Sequence, residues 1–246
     1  MTQPPKGYKG RNSRGGNARM VFERVKTARR RKNSSTAWLK RQLNDPYVIE
    51  AKRRGFRSRA AFKILELNEK FDFLKPGARI VDLGAAPGGW SQAANELVTT
   101  DRKKGKIIAL DIQEMDPIEG VEILHLDFTA NDAPDALKQS LGGEADVVMS
   151  DMAAPSTGHT GTDHLRIMGL CEIALEFARE VLAPGGTFLA KVLQGGTEGE
   201  LLINLKRDFK TVRHIKPPSS RQDSAEMYVV GLNFKGRQKD AEKKTT

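Results

Sequence analysis

The chain has 246 residues, a formal net charge of +10 and a single cysteine, Cys171. That length can bury the core of one sizeable α/β domain with an extension. One thiol excludes a disulfide scaffold, and without an apolar N-terminal segment or a run of about 18 apolar residues, secretion and membrane insertion are disfavoured.

A cytoplasmic protein with reduced thiols is therefore expected. The positive charge is concentrated at one end: residues 1–57 carry 17 Lys and Arg against 3 Asp and Glu, whereas residues 58–246 carry 24 against 28. The basic part is rich in Gly, Asn, Ser and Arg ("KGYKGRNSRGGNARM", "RRRKNSST"), a composition that buries too little apolar surface to fold alone. We expect residues 1–44 to be a flexible arm that grips RNA, since phosphate neutralisation gives salt-sensitive affinity independent of sequence. Residues 45–236 are expected to form the folded domain and residues 237–246 a polar tail.

From residue 58 the chain alternates helical patterns with short β-branched runs. The pattern predicts a helix over 58–71, a strand over 79–83, a helix over 89–99, strands over 106–111 and 122–127, a helix over 132–141, and a strand over 146–150. A helix over 163–182, a strand over 186–193, a helix over 198–209 and strands over 212–216 and 227–233 complete it. This alternation is the mark of an open, mostly parallel α/β sheet. The last two strands are joined by a Pro/Ser loop alone ("KPPSSRQDS") and should pair as an antiparallel hairpin.

In such sheets ligands bind beyond the carboxyl ends of the strands, and the first strand-to-helix turn is the usual cradle. That turn reads "DLGAAPGG". It lacks the Gly-x4-Gly-Lys-Ser/Thr of a P-loop and the Gly-x-Gly-x-x-Gly of a dinucleotide site, so phosphate binding is disfavoured. Gly84, Gly88 and Gly89 would let backbone approach a ligand closely, and Asp82 adds negative charge where a pyrophosphate would be repelled. Asp111 closes the second strand, where such folds place an acid for ribose hydroxyls, and Asp127 closes the third. Three strand-end acids suit S-adenosylmethionine, which has both a ribose and a positive charge. Each acid could alternatively cap a helix or start a turn.

Lys191 stands inside the apolar run "TFLAKVL", where an ammonium is costly to bury unless paired. Asp151 follows the fourth strand. Lys63 and Glu226, taken from pattern alone, read as surface residues: Ile64, Leu67 and Phe71 define the apolar side of the Lys63 helix and leave Lys63, Glu66 and Lys70 opposite it. The four histidines lack metal-ligand spacing, and no metal is implied.

The blocks "SRAAFKILELNEKF", "VDLGAAPGGWSQ", "DVVMSDMAAPSTGH", "FLAKVLQGG" and "SSRQDSAEMYVVG", in this order, resemble the RrmJ/FtsJ (RlmE) group of large-subunit rRNA ribose 2′-O-methyltransferases. The resemblance covers about residues 58–233 and implies a Rossmann-like, S-adenosylmethionine-dependent class I methyltransferase with a seven-stranded sheet. It implies a catalytic tetrad of Lys63, Asp151, Lys191 and Glu226, with Lys191 accepting or polarising the proton of the 2′-hydroxyl. It also implies cofactor contacts from Gly88, Trp90, Asp111, Asp127 and Asp151, with Asp82 and Gly84 shaping the loop. Trp90 could equally be helix-packing bulk. The implied substrate is a uridine in the A-loop of 23S rRNA, on the assembled or late-assembly 50S particle, with the basic stretch "KRRGFRSR" as landing surface. The chain is expected to act as a monomer. A sibling enzyme acting on tRNA or an mRNA cap, or an assembly factor with a vestigial site, are the readings that compete.

Overall fold

The computed structural model describes Thr27, residues 32–194 and residues 199–237. In chain order the elements are α1 (Asn33–Leu43), α2 (Pro46–Arg54), α3 (Ala61–Phe71), β1 (Arg79–Leu83), α4 (Gly89–Val98), β2 (Lys106–Asp111), β3 (Val121–His125), α5 (Ala133–Leu141) and β4 (Ala145–Ser150). They continue with α6 (Thr160–Val181), β5 (Leu182–Leu193), α7 (Glu200–Asp208), β6 (Phe209–Ile215) and β7 (Glu226–Phe234). The strands form one sheet in the order β3-β2-β1-β4-β5-β7-β6. β1 to β5 pair in parallel, and β7 inserts antiparallel between β5 and β6. Strand order reverses between β1 and β4, which are hydrogen-bonded neighbours, and this is the switch point where such sheets open a crevice.

β1, β2 and β4 are near-continuous apolar runs because helices cover both faces of the sheet. Side-chain alternation sorts the strands into two cores. Val81, Ile108, Val148, Phe188 and Val229 belong to the cluster that includes buried residues of α5, α6 and α7. Ile80, Ile107, Met149, Leu189 and Tyr228 belong to the cluster that includes buried residues of α2, α3 and α4. Cys171, on α6, lies in the first of these, and burial pushes its thiol up to about 12.

β1 and β2 have the expected bounds. β3 begins and ends earlier than expected, at His125, so Asp127 stands in the turn beyond it. β6 starts directly after α7, at Phe209 rather than at residue 212. Two helices precede the expected ones. α2 is defined at both ends: Asp45 accepts a hydrogen bond from Tyr47 N, Pro46 opens the first turn, and Gly55 closes it in the left-handed region at φ 77°. α1 lies in the segment expected to be a flexible arm, and its residues 33–43 are helical. Residues 1–26 and 28–31 of that arm, and 238–246 of the tail, lie outside the described residues.

Gly231 on β7 sits directly over the buried ring of Phe209, and a Cβ there would come within 2.7 Å of the ring. Phe209 is itself held between Phe188 and Phe234. Gly231→Ala is expected to lower unfolding stability by about 1–3 kcal/mol through overpacking. Urea titration checks this, and an unchanged midpoint would show that the ring yields freely.

Candidate active site

Alternation along the strands fixes which side chains can meet. Asp82 shares a strand face with Ile80, Asp111 with Ile107, Asp151 with Met149, Lys191 with Leu189, and Glu226 with Tyr228 and Val230. All these apolar neighbours belong to the α3/α4 side of the sheet. Because β7 is antiparallel, its first residues lie beside the last residues of β5: Lys191 pairs with Tyr228, and Leu193 with Glu226. The start of β7 is thereby brought to the carboxyl edge of the parallel strands.

At that edge five side chains form a continuous chain. Lys63 Nζ, reaching in from α3, lies 2.7 Å from Glu226 Oε1 and donates to the Tyr228 hydroxyl at 2.8 Å. The Tyr228 hydroxyl donates to Asp151 Oδ1 at 2.9 Å. Lys191 Nζ lies 3.1 Å from the same Oδ1 and donates to the Asp151 carbonyl at 2.6 Å. Ser220 Oγ donates to Glu226 Oε1 at 3.0 Å. All four charged groups are largely shielded from water. Burial pushes the Asp151 carboxyl up, but Lys191, Lys63 and the Tyr228 hydroxyl together outweigh it and leave the group below the ordinary carboxylate value. Burial, Asp151 and Glu226 all hold the Tyr228 phenol well above its ordinary value, so it stays a donor.

Thus Lys63, Asp151, Lys191 and Glu226, which stand far apart in sequence, meet. Tyr228 joins them, a residue that sequence reasoning passed over as a strand-former. The signal was present: Tyr228 is two residues after Glu226, on the same face.

The β1–α4 turn lies alongside. Asp151 N donates to Leu83 O at 3.0 Å, extending the β1–β4 ladder to the edge of the turn. Gly84 has φ 75°, and a Cβ on it would stand 2.8 Å from the backbone of Met152, so glycine is required there. Asp111, at the end of β2, accepts from Ala86 N at 2.8 Å and from Gln113 N at 2.7 Å, which ties down both loops. Asp127 is exposed and accepts from Thr129 N and Oγ1, a local turn that holds its carboxyl below the ordinary value. Leu126 N donates to Asp111 O, which sets Asp127 beside the end of β2.

Asp82 is fully buried. It accepts from Ser91 Oγ at 2.6 Å, while its other oxygen has no partner among the described residues. Burial raises its carboxyl to about 7, with Ser91 opposing and the charges of Asp151 and Asp111 adding to the shift. Trp90 is buried with its indole Nε1 unpartnered among the described residues, and its ring leans on Tyr228 at 5.6 Å. It therefore packs beneath the chain of hydrogen bonds that runs through Tyr228.

Arg57 is a second residue that the sequence did not single out. Its guanidinium donates to the carbonyls of Pro87, Asp116 and Pro117, and its N–H donates to Gln92 Oε1. It clamps the glycine turn to the β2–β3 loop. Arg59 is likewise held inside the protein, on Asp45 and the Ser219 carbonyl. Within "KRRGFRSR", Arg57 and Arg59 are thus turned into the protein, whereas Arg53 and Arg54 pair with Glu50 and Glu96 at the surface, Arg53 being 70% exposed. Among the described residues no cluster of three or more His, Cys, Asp or Glu could hold a metal ion.

Comparison with known proteins gives the family. A model of the FtsJ-like methyltransferase family matches residues 56–234. The chain is 62% identical over 238 residues to the protein named ribosomal RNA large subunit methyltransferase E in Parvibaculum lavamentivorans, covering 94% of this chain and 93% of the relative. It is 64% identical over 223 residues to the protein of the same name in Paramagnetospirillum magneticum, covering 90% and 91%. A solved structure described as a ribosomal RNA methyltransferase from Plasmodium falciparum superposes with a TM-score of 0.66 at 34% identity, over 74% of this chain and 100% of that one.

Two outcomes follow from the site. Tyr228→Phe keeps the ring against Trp90 but removes the hydroxyl shared by Lys63 and Asp151; the kcat for methyl transfer should fall about ten- to hundredfold, as for loss of hydrogen bonds to charged groups. Initial rates at saturating substrates test it, and an unchanged kcat would show the hydroxyl to be dispensable. The second concerns Asp82, whose carboxyl is raised from 3.8 to about 7. The native state then holds its proton more tightly than the unfolded chain, so its contribution to stability falls as pH rises between those values. The neutral Asp82→Asn should gain stability relative to the parent as pH rises from 5 to 8, and urea unfolding at both would reveal a pH-independent difference if this is wrong.

Proposed function

As the chain belongs to the FtsJ-like methyltransferase family, with a class I S-adenosylmethionine-dependent fold, we propose that it methylates large-subunit ribosomal RNA at the ribose 2′-hydroxyl of a uridine in the A-loop of 23S rRNA. The particle it acts on is the assembled or late-assembly 50S subunit. The observation that carries the reading is the chain Glu226–Lys63–Tyr228–Asp151–Lys191 beside the glycine turn.

The cradle fits the cofactor. Gly84 and Gly88 both have positive φ, and a Cβ on Gly84 would meet the Met152 backbone, Asp111 stands at the end of β2, and the unpartnered Asp82 oxygen places a hydrogen-bond acceptor behind the turn. Asp82, Gly84, Gly88, Trp90, Asp111, Asp127 and Asp151 would hold it, with Trp90 acting from below as support. S-adenosylmethionine supplies an electrophilic methyl on a positively charged sulfur.

A ribose hydroxyl is a weak nucleophile until its proton is drawn away. In this reading Lys191 accepts that proton as the neutral amine, or polarises the hydroxyl as the ammonium, while the oxygen forms its bond to the methyl carbon and the carbon–sulfur bond breaks. Asp151 offsets the positive charge at Lys191 Nζ and fixes where the nitrogen points. Glu226 and Tyr228 hold Lys63 beside it, and Lys63 orients the hydroxyl. Alignment of the oxygen with the methyl is itself a large part of the acceleration, since well-oriented reactants can lower a barrier by about 7 kcal/mol or more.

The test is to incubate the protein with methyl-labelled S-adenosylmethionine and either free rRNA or undermethylated 50S particles, with Lys191→Ala in parallel. We expect label in the particles, recovered in an alkali-resistant dinucleotide because a methylated 2′-oxygen cannot cleave the strand, and none with Lys191→Ala. Label on a base, or on tRNA in place of the particles, would overturn the reading.

A further inference from the structure

A groove of about 380 Å³ opens from the Lys63–Glu226 end of the catalytic chain, between the last turn of α1, the residues before α3 and the loop joining β6 to β7. Its volume lies within the range of about 300–1,000 Å³ usual for ligand sites. Three arginines line it, and they are held very differently. Arg59 is buried to 17% exposure against Asp45 and the Ser219 carbonyl, so it belongs to the wall. Arg221 stands 3.6 Å from Asp45, and Arg41 stands 3.6 Å from Asp223 with both of those side chains more than half exposed.

Resting on the reading above, we propose that this groove binds the phosphodiester next to the target ribose, with Arg41 and Arg221 as its ligands. The argument is one of exchange. Exposed ion pairs at such separation contribute about 0–1 kcal/mol, whereas a guanidinium can bind a phosphate by two parallel, charge-assisted hydrogen bonds. Releasing the present partners leaves neither stranded. Asp45 keeps Arg59 and the Tyr47 N–H, and Asp223, at 70% exposure, returns to water. Lys63 and Glu226 line the groove together with the two arginines, so a strand whose ribose lies on the catalytic chain can place its neighbouring phosphate in the same groove. The cofactor turn lies elsewhere along the chain, beside Asp151, so donor and acceptor approach from different directions.

The experiment uses the full-length protein and 50S particles lacking the modification. Arg41→Gln, Arg221→Gln and the double variant are compared with Arg102→Gln, which removes the same charge from an exposed loop before β2. Each groove variant should raise the particle KM severalfold with kcat nearly kept. Each should also reduce the slope of log affinity against log salt by about one. The affinity for S-adenosylmethionine should stay that of the parent, which reports an intact fold. A KM and salt slope equal to those of Arg102→Gln would overturn the groove proposal while leaving the reaction in place. If the parent protein bound particles but transferred no methyl to them, the reaction reading would fail, and the salt slope would still decide whether the groove holds phosphate.

Discussion

The carboxylate of Asp151 is ionised at a place that largely excludes water, and the arrangement around it exists because of that. Desolvation alone would favour the neutral acid. Two ammoniums and a phenol reverse the balance, and each comes from a different element: Lys191 from β5, Lys63 from α3 and Tyr228 from β7. The compensation is collective. Removing one partner of a buried charge pair typically costs about 3–5 kcal/mol, because the remaining charge is left uncompensated. Loss of either ammonium therefore alters both the shape of the site and its charge.

The sheet topology makes that convergence possible. A strand running parallel to β5 would present its last residues at this edge; β7, running the other way, presents its first. Glu226 and Tyr228 are thus delivered to the switch point by a hairpin whose other strand, β6, forms the sheet edge. The tight contact of Gly231 with Phe209 secures β7 on the opposite face, away from the chemistry.

Much of this could be read from the residues, and the exceptions have physical reasons. β1 and β2 were legible because strands buried on both faces are short apolar runs that end abruptly in acids and glycines. α2 was not, although Asp45, Pro46 and Gly55 mark both its ends, because its charge density resembled that of the basic arm before it. Lys63 read as a surface residue: helical periodicity places it opposite Ile64 and Leu67 but cannot show that β7 would pack there, and the family resemblance supplied the placement. Lys191 was visible from its apolar surroundings alone. Asp127 read as a strand end, and the structure shows an acid that organises its own turn. Arg57 read only as one basic residue of "KRRGFRSR", since its acceptors are carbonyls, which no sequence displays.

That last feature sets an unequal burden on the chain. Arg57 grips backbone oxygens of residues 87, 116 and 117, atoms that every amino acid possesses. The clamp therefore places no demand on side-chain identity at those three positions and a strict one at position 57, where a lysine's single nitrogen cannot reproduce a planar fork spanning two loops. Variation can accumulate at those three positions without loosening the clamp, provided that one side chain is kept.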